Sequence, residues 1–411
     1  MDAIVERCAG LDVHLDTVVA CVLYGKLDIK PKKEVKTFST TTKGLLELLD
    51  FINQKECTHV AMESTGIYWK PVWNILESGA FDLIVANAKK IKNVPGRKTD
   101  VKDAEWIASL LRGGLIEKSF VPPERIRDLR DLTRLRKELL GEVNRNKNRI
   151  HKVLQDANIK ISSVLSDVFG ETGKSILNQI IDNEFIYSLY EGRGKSKLKS
   201  TLMEMYEALN GKIRGHHVIL LGMHNSNIVF LEKQINELEK EIDILLQKER
   251  DSLELLETIP GISKISASSI IAEIGTSMDV FKTEKHISSW AGLCPKNNES
   301  AGKKKRSGIK SWNNWLRSML CECAWSATKK KDSRFKNKYW SMVPRMGRKK
   351  ALIAIANMML RLIYHLLKTK STYKELEIQY FIDKDKRRED RIIKELKSKG
   401  YLVEKDSLQM A

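Results

Sequence analysis

From Ile228 to Leu245, apolar residues recur at intervals of three, four, three, four and three: Ile228, Leu231, Ile235, Leu238, Ile242 and Leu245. Glu and Lys fill most positions between them. That spacing fits one face of a long α-helix and no β-strand, and its period specifies a coiled-coil seam. An earlier run, Leu132, Leu135, Leu139, Val143, Asn146, Ile150 and Val153, repeats in the same way. The two runs can pair as an antiparallel hairpin within one chain or can pair between chains, and spacing alone leaves both open. In either case they divide the 411 residues into a mixed front, a helical middle and a helical rear.

The front alternates strand-like and helix-like runs. Leu11–Leu23 reads as one strand turning at Tyr24-Gly25, Val35–Phe38 as a short strand, and His59–Glu63 and Phe81–Ala86 as two more. Helical spacing covers Thr42–Ile52, with Leu45, Leu46, Leu48 and Leu49 expected inward, then Tyr68–Glu77 and Asp100–Arg112. In the rear, helices are expected from Trp312 to Leu367, and a charged helix over Asp383–Glu404. The fold class expected is α/β plus α, in four segments: 1–123, 124–250, 251–378 and 379–411.

Charge narrows the partners. Lys and Arg total 72 against 53 Asp and Glu, for a formal net charge of +19. Residues 301–350 hold sixteen of the cations and only two acids, Glu322 and Asp332. Such a patch favours polyanions such as DNA, RNA or acidic membrane. The most apolar stretch, Ala351 to Leu367, carries Asn357, Arg361 and His365, so it reads as a core helix rather than a membrane span. The six cysteines lie mostly in apolar contexts without a second metal-ligand pair, and read as reduced, buried thiols in a cytoplasm.

Against that cationic background, four acids stand out. Asp12 interrupts Gly10-Leu11-Asp12-Val13, and Glu63 ends Val60-Ala61-Met62-Glu63. Strands disfavour acids, so both ask for a reason. Asp100 and Asp103 open a helix three residues apart, where they share a face and also suit helix capping. Mg²⁺ takes oxygen ligands, and two such ions can clamp a scissile phosphate. Further on, Ile259-Pro260-Gly261-Ile262 before a helix resembles a helix-hairpin-helix, whose Gly261 turn would present N–H groups to a phosphate. Ser300 is followed by Lys303, Lys304, Lys305 and Arg306. Its hydroxyl could attack a phosphodiester or lie in a solvated phosphate-binding loop, with Ser307 and Ser311 as rivals; spacing alone favours the solvated loop.

Taken in order, Gly-Leu-Asp12-Val-His, Met-Glu63-Ser-Thr-Gly66, Lys98-Thr-Asp100-Val-Lys-Asp103, Ile-Pro260-Gly261-Ile and Ala-Gly292-Leu-Cys-Pro295 through Glu-Ser300-Ala-Gly302-Lys to Leu316-Arg317 resemble the DEDD-type insertion-sequence transposases, relatives of the Piv DNA invertase. The resemblance implies an RNase H/RuvC-like domain over 1–123, a coiled-coil region and a C-terminal transposase domain. It implies Mg²⁺ held by Asp12, Glu63, Asp100 and Asp103, and Ser300 as a nucleophile that becomes joined to DNA. It further implies phosphate contacts from Lys98, Gly261, the Lys303–Arg306 run and Arg317. Donor and target DNA, a structured guide RNA from the element's flank and a homo-oligomer, dimer or tetramer, are the implied partners. No membrane is among them, and the implied setting is the nucleoid of a bacterium or archaeon. Where the family often has Lys-Gly-Asn before Leu-Arg, this chain has Ser311-Trp312-Asn313-Asn314-Trp315.

Three rivals stand beside that reading: a RuvC-like Holliday-junction nuclease using water, a catalytically inactive nucleic-acid-binding protein, and an actin-like ATPase. The last also begins Gly-Leu-Asp but would want glycines and a hydroxyl where His14-Leu15-Asp16 follows.

Overall fold

The computed structural model describes residues 3–64, 66–88, 91, 103–182, 202–294, 299–300, 303–304, 313–331, 333–375 and 390–403. The chain forms two compact units, Met1–Glu124 and Arg125–Ala411.

The first unit is a five-stranded mixed sheet with helices on both faces. Its strands are β1 (Arg7–Val13), β2 (Thr17–Tyr24), β3 (Lys32–Ser39), β4 (His59–Glu63) and β5 (Asp82–Ala86), in the order β3-β2-β1-β4-β5. β1, β2 and β3 pair antiparallel; β4 and β5 continue the sheet parallel to β1. Alternate residues sort to opposite faces. Ala9, Leu11, Val60 and Met62 pack with α1 (Thr42–Gln54) and α2 (Trp69–Leu76). Cys8, Ala61 and Ile84 pack with α3 (Asp103–Arg112) on the other face.

The apolar run Leu11–Leu23 is two strands rather than one. The chain reverses at His14-Leu15-Asp16, where the His14 N–H donates to the Thr17 carbonyl at 2.9 Å. No glycine or proline marks this turn, and Leu15 at its tip is exposed. β3 extends beyond Val35–Phe38 because an edge strand tolerates the exposed lysines at its start. α1 is capped by Thr41, whose hydroxyl accepts from the Gly44 N–H. Leu45 and Leu48 are buried as expected, whereas Leu46 faces solvent because it lies off the sheet-facing stripe. The expected start of α3 at Asp100 lies outside the described residues; the helix is described from Asp103.

In the second unit, α4 (Glu124–Asp156) and α8 (Gly215–Leu246) run antiparallel within one chain. Arg136 meets Glu239, Asn146 meets His224, and Asp156 meets His217, so contacts advance along one helix as they recede along the other. Val143 and Ile150 share a core with Leu221, Ile228, Leu231 and Ile235. Leu135 is exposed, so the earlier heptad run does not keep its apolar face buried throughout. Short helices α5 (Ile161–Val164), α6 (Glu171–Ile181) and α7 (Leu202–Leu209) contribute to the far end of the same core.

The rear comprises α9 (Arg250–Glu257), α10 (Lys264–Ile274), α11 (Glu284–Trp290), α12 (Asn314–Ala327), α13 (Arg334–Met346) and α14 (Arg348–Thr369). α14 is long and apolar enough to cross a membrane, but Ile355, Met359, Ile363 and Leu367 are buried among its neighbours. The hairpin is tied to this bundle by Glu273, which is almost fully buried. Arg134 grips its carboxylate with Nε at 2.7 Å and Nη2 at 2.9 Å, and Asn313 Nδ2 donates to it at 2.7 Å. Arg130 donates to the carbonyls of Ala272 and Glu273. Burial pulls the Arg130 guanidinium down to about 10, with the Glu273 charge opposing the shift. In the tail, residues 390–398 are helical, within the expected charged helix.

Candidate active site

β1 and β4 lie side by side in parallel, with Leu11 opposite Met62. Asp12 and Glu63 are the next residues on each strand and point toward the face that carries α3. The approach of α3 depends on Gly10. A Cβ there would meet the Ala104 carbonyl oxygen and the Ala108 nitrogen, each at 2.3 Å. The helix therefore rests directly on the β1 backbone, and its first residue, Asp103, comes beside Asp12. At the other end of α3, the buried Arg112 guanidinium donates to the carbonyls of Val5, Glu6, Gly25 and Lys26 at 2.8–3.2 Å. That clamp fixes the helix along the sheet.

The charges of these residues are coupled. Burial raises the Asp12 carboxyl above its ordinary range, and the charges of Asp103 and Glu63 raise it further, while His14 opposes them. His14 Nε2 lies 3.2 Å from Asp12 Oδ2. The strand spacing of Gly10, Asp12 and His14 was the signal that could have placed His14 here. Asp100 and Lys98 lie outside the described residues; of the other expected acids, Asp103 and Glu63 act on Asp12 through their charges, but the three do not bring one oxygen each within 4.8 Å of one another. Asp12 is discouraged from ionising first by burial and then by the charges of Asp103 and Glu63, the electrostatics that a hard divalent cation would relieve.

Ser300 lies in the second unit. Glu299–Ser300 and Lys303–Lys304 form a two-stranded antiparallel ribbon, β6 and β7, with the Ser300 backbone opposite Lys303. Lys305 and Arg306 lie outside the described residues. Arg317 sits on α12 and donates to Asn314 Oδ1 at 2.6 Å. Gly261 occupies the turn between α9 and α10 at φ +88°, where a Cβ would meet the Cys323 carbonyl oxygen at 2.4 Å. Its turn is thus packed against α12, which requires glycine whether or not a phosphate binds.

Among the described residues, the group whose possible metal-ligand atoms all lie within 4.8 Å of one another is Asp156, His216 and His217, at the far end of the hairpin. His217 is buried and both ring nitrogens are engaged. Nδ1 accepts from the Arg214 N–H at 3.2 Å, and Nε2 lies 2.7 Å from Asp156 Oδ2. The hydrogen bond from His217 holds the Asp156 carboxyl below its usual range. These contacts cap α8 and join it to α4. The thiols are equally structural: Cys8, Cys21 and Cys57 are buried, and burial pushes them up to about 12, 11 and 11.

Comparison with known proteins covers the same two regions. The DEDD transposase model of the IS110 type matches residues 9–159, and the model described as transposase IS116/IS110/IS902 family matches residues 253–340. The transposase for insertion sequence element IS1111A of Coxiella burnetii is 27% identical over 147 residues, 35% of this chain and 40% of that protein. The transposase for insertion sequence element IS1533 of Leptospira borgpetersenii is 29% identical over 157 residues, 37% of this chain and 44% of that protein. The chain thus matches less than half the length of either relative. The first family match contains Asp12, Glu63 and Asp103 and the second contains Ser300, and with the two relatives they show that the chain belongs to the IS110/IS116 family of transposases.

Proposed function

We propose that the protein is a DNA transposase that cuts and rejoins donor and target DNA, with its metal chemistry in residues 1–123 and its nucleophile, Ser300, in residues 251–378. The observation that carries this reading is the coupling of the Asp12 charge to Asp103 and Glu63, from neighbouring strands and a helix of one sheet, in a family of transposases. First strand, central strand and late helix are the positions that an RNase H/RuvC-like domain implies for its acids.

Asp12, Glu63 and Asp103, with Asp100, would hold Mg²⁺. When bound, the cation would supply a Lewis acid for the scissile phosphate. The Ser300 hydroxyl oxygen bonds to phosphorus and loses its proton; the sugar oxygen leaves and takes up a proton. Attack by a DNA hydroxyl on the phosphoserine reverses the exchange, so rejoining needs no ATP. Lys303, Lys304, Lys305 and Arg306 neutralise phosphate charge beside the serine, and Lys98, Gly261 and Arg317 add backbone contacts. A structured guide RNA selects the sites, and the protein works as a homo-oligomer.

Denaturing gels of the protein with its element ends and flank-derived RNA test this. A covalent protein–DNA adduct is expected in the wild type and absent in Ser300→Ala. Cleavage at the wild-type rate by Ser300→Ala would replace the serine with water and favour a junction nuclease. DNA binding with no cutting by any form of the protein would mark an inactive binding protein.

A further inference from the structure

Two exposed indole rings of the second unit pack against the same tyrosine. Trp325 on α12 is 47% exposed and Trp340 on α13 is 52% exposed. Between them lies Tyr339, 2% exposed, which meets Trp325 edge-on at 6.3 Å and Trp340 edge-on at 5.3 Å. The two rings are thus braced from behind by one buried ring while keeping surface open to solvent. Cations flank both. Lys329, one turn after Trp325, has Nζ 5.5 Å from the Trp325 ring centre, and Lys336 lies one turn before Trp340. Arg345 and Arg348 to Lys350 continue the charge as exposed residues. From residue 333 to 374 the sequence contains no Asp or Glu.

We infer that Trp325 and Trp340 form a stacking platform for unpaired nucleotides of a single-stranded nucleic acid, with Lys329 and Lys336 on the flanking phosphates. A duplex keeps its base faces stacked on one another and would use only the cations. Exposed, braced indoles add binding energy only where a base face is free. A protein partner large enough to cover two tryptophans would have to be unusually acidic to match this cation density, whereas a nucleic acid matches it in every residue. The platform rests on the proposed strand-joining function for its role, and it uses residues that the proposed chemistry does not.

Binding is read in the Ser300→Ala protein, so strand joining and strand binding fail independently. Labelled twenty-nucleotide oligo-dT and oligo-U, and a duplex of equal length, are titrated at fixed salt. Trp325→Ala and Trp340→Ala are each expected to weaken single-strand binding on the order of tenfold, while duplex binding moves by less than about twofold. Trp325→Phe and Trp340→Phe, which keep a stacking face, are expected to recover most of the loss. A loss larger for one oligomer supports the platform and tells whether RNA or a melted DNA strand is the occupant. Equal losses for single strand and duplex, unchanged single-strand binding in both alanine variants, or a loss of self-association in place of a loss of binding would each overturn it. Circular dichroism melting of the variants guards against misfolding, and an unchanged melt is required for either reading.

Discussion

Asp12 keeps a carboxylate where burial and two like charges, Asp103 and Glu63, oppose its ionisation. A carboxyl raised in the folded state costs nothing below its ordinary value of 3.8, where it is protonated in both states. As pH rises through the folded value, the unfolded chain ionises more readily and stability is lost, then stays level. In chelator, Asp12→Asn is therefore expected to unfold at a higher urea concentration than the wild type above that transition, and to match it at pH below the ordinary Asp range. Adding Mg²⁺ at about 100 times its dissociation constant should restore about 2.7 kcal/mol to the wild type and little to Asp12→Asn. A wild type indifferent to Mg²⁺ would argue against the metal centre. Asp12 and Glu63 were legible in the sequence because strand interiors seldom carry acids. His14 shares the two-residue spacing of Gly10 and Asp12, but its contact with Asp12 depends on the turn that follows β1.

At the scale of elements, Asp103 comes within reach of the Asp12 charge because a helix can lie on a strand. Gly10→Ala places a methyl group within 2.3 Å of the α3 backbone at two points, and backbone cannot rotate aside. The helix must lift or the strand must bend, at about 1–3 kcal/mol of overpacking. Chemical denaturation of the first unit should show that loss, and adduct formation should fall with it because Asp103 rides on the same helix. In the second unit, Glu273→Ala would leave the half-buried Arg130 and Arg134 without their shared anion, at about 1–3 kcal/mol once solvent around the two guanidiniums is allowed for. Its unfolding curve should separate the hairpin from the helical bundle. Neither glycine nor glutamate announces these duties. The Gly10 signal was absorbed into an apolar run, and Glu273 reads as one more helical acid until Arg130, Arg134 and Asn313 are found around it. The long heptads, by contrast, were readable from spacing, yet only the contacts of Arg136, Asn146 and Asp156 decide that they pair within one chain. The hidden hairpin at His14-Leu15-Asp16 has the same cause as the other omissions: its turn is made by a backbone hydrogen bond rather than by a residue type.

Over the whole molecule, charge is divided as the proposed chemistry requires. The acids that repel one another are gathered in the first unit, while residues 301–350 concentrate sixteen cations around and beyond Ser300. A protein that neutralises phosphates releases counterions, so its affinity for duplex DNA should fall steeply with salt, with a slope of about −0.9 for each phosphate contacted. Replacing Lys303, Lys304, Lys305 and Arg306 together by Ala should flatten that slope by up to about 4 and weaken all duplex sequences alike, because phosphate contacts carry no base information. Asp12→Asn should leave the slope in place while removing the adduct. Fluorescence anisotropy across a salt series separates the two effects. A slope unchanged by the four substitutions would move DNA binding away from the serine-bearing ribbon, and with it the charge neutralisation on which the role proposed for Ser300 depends.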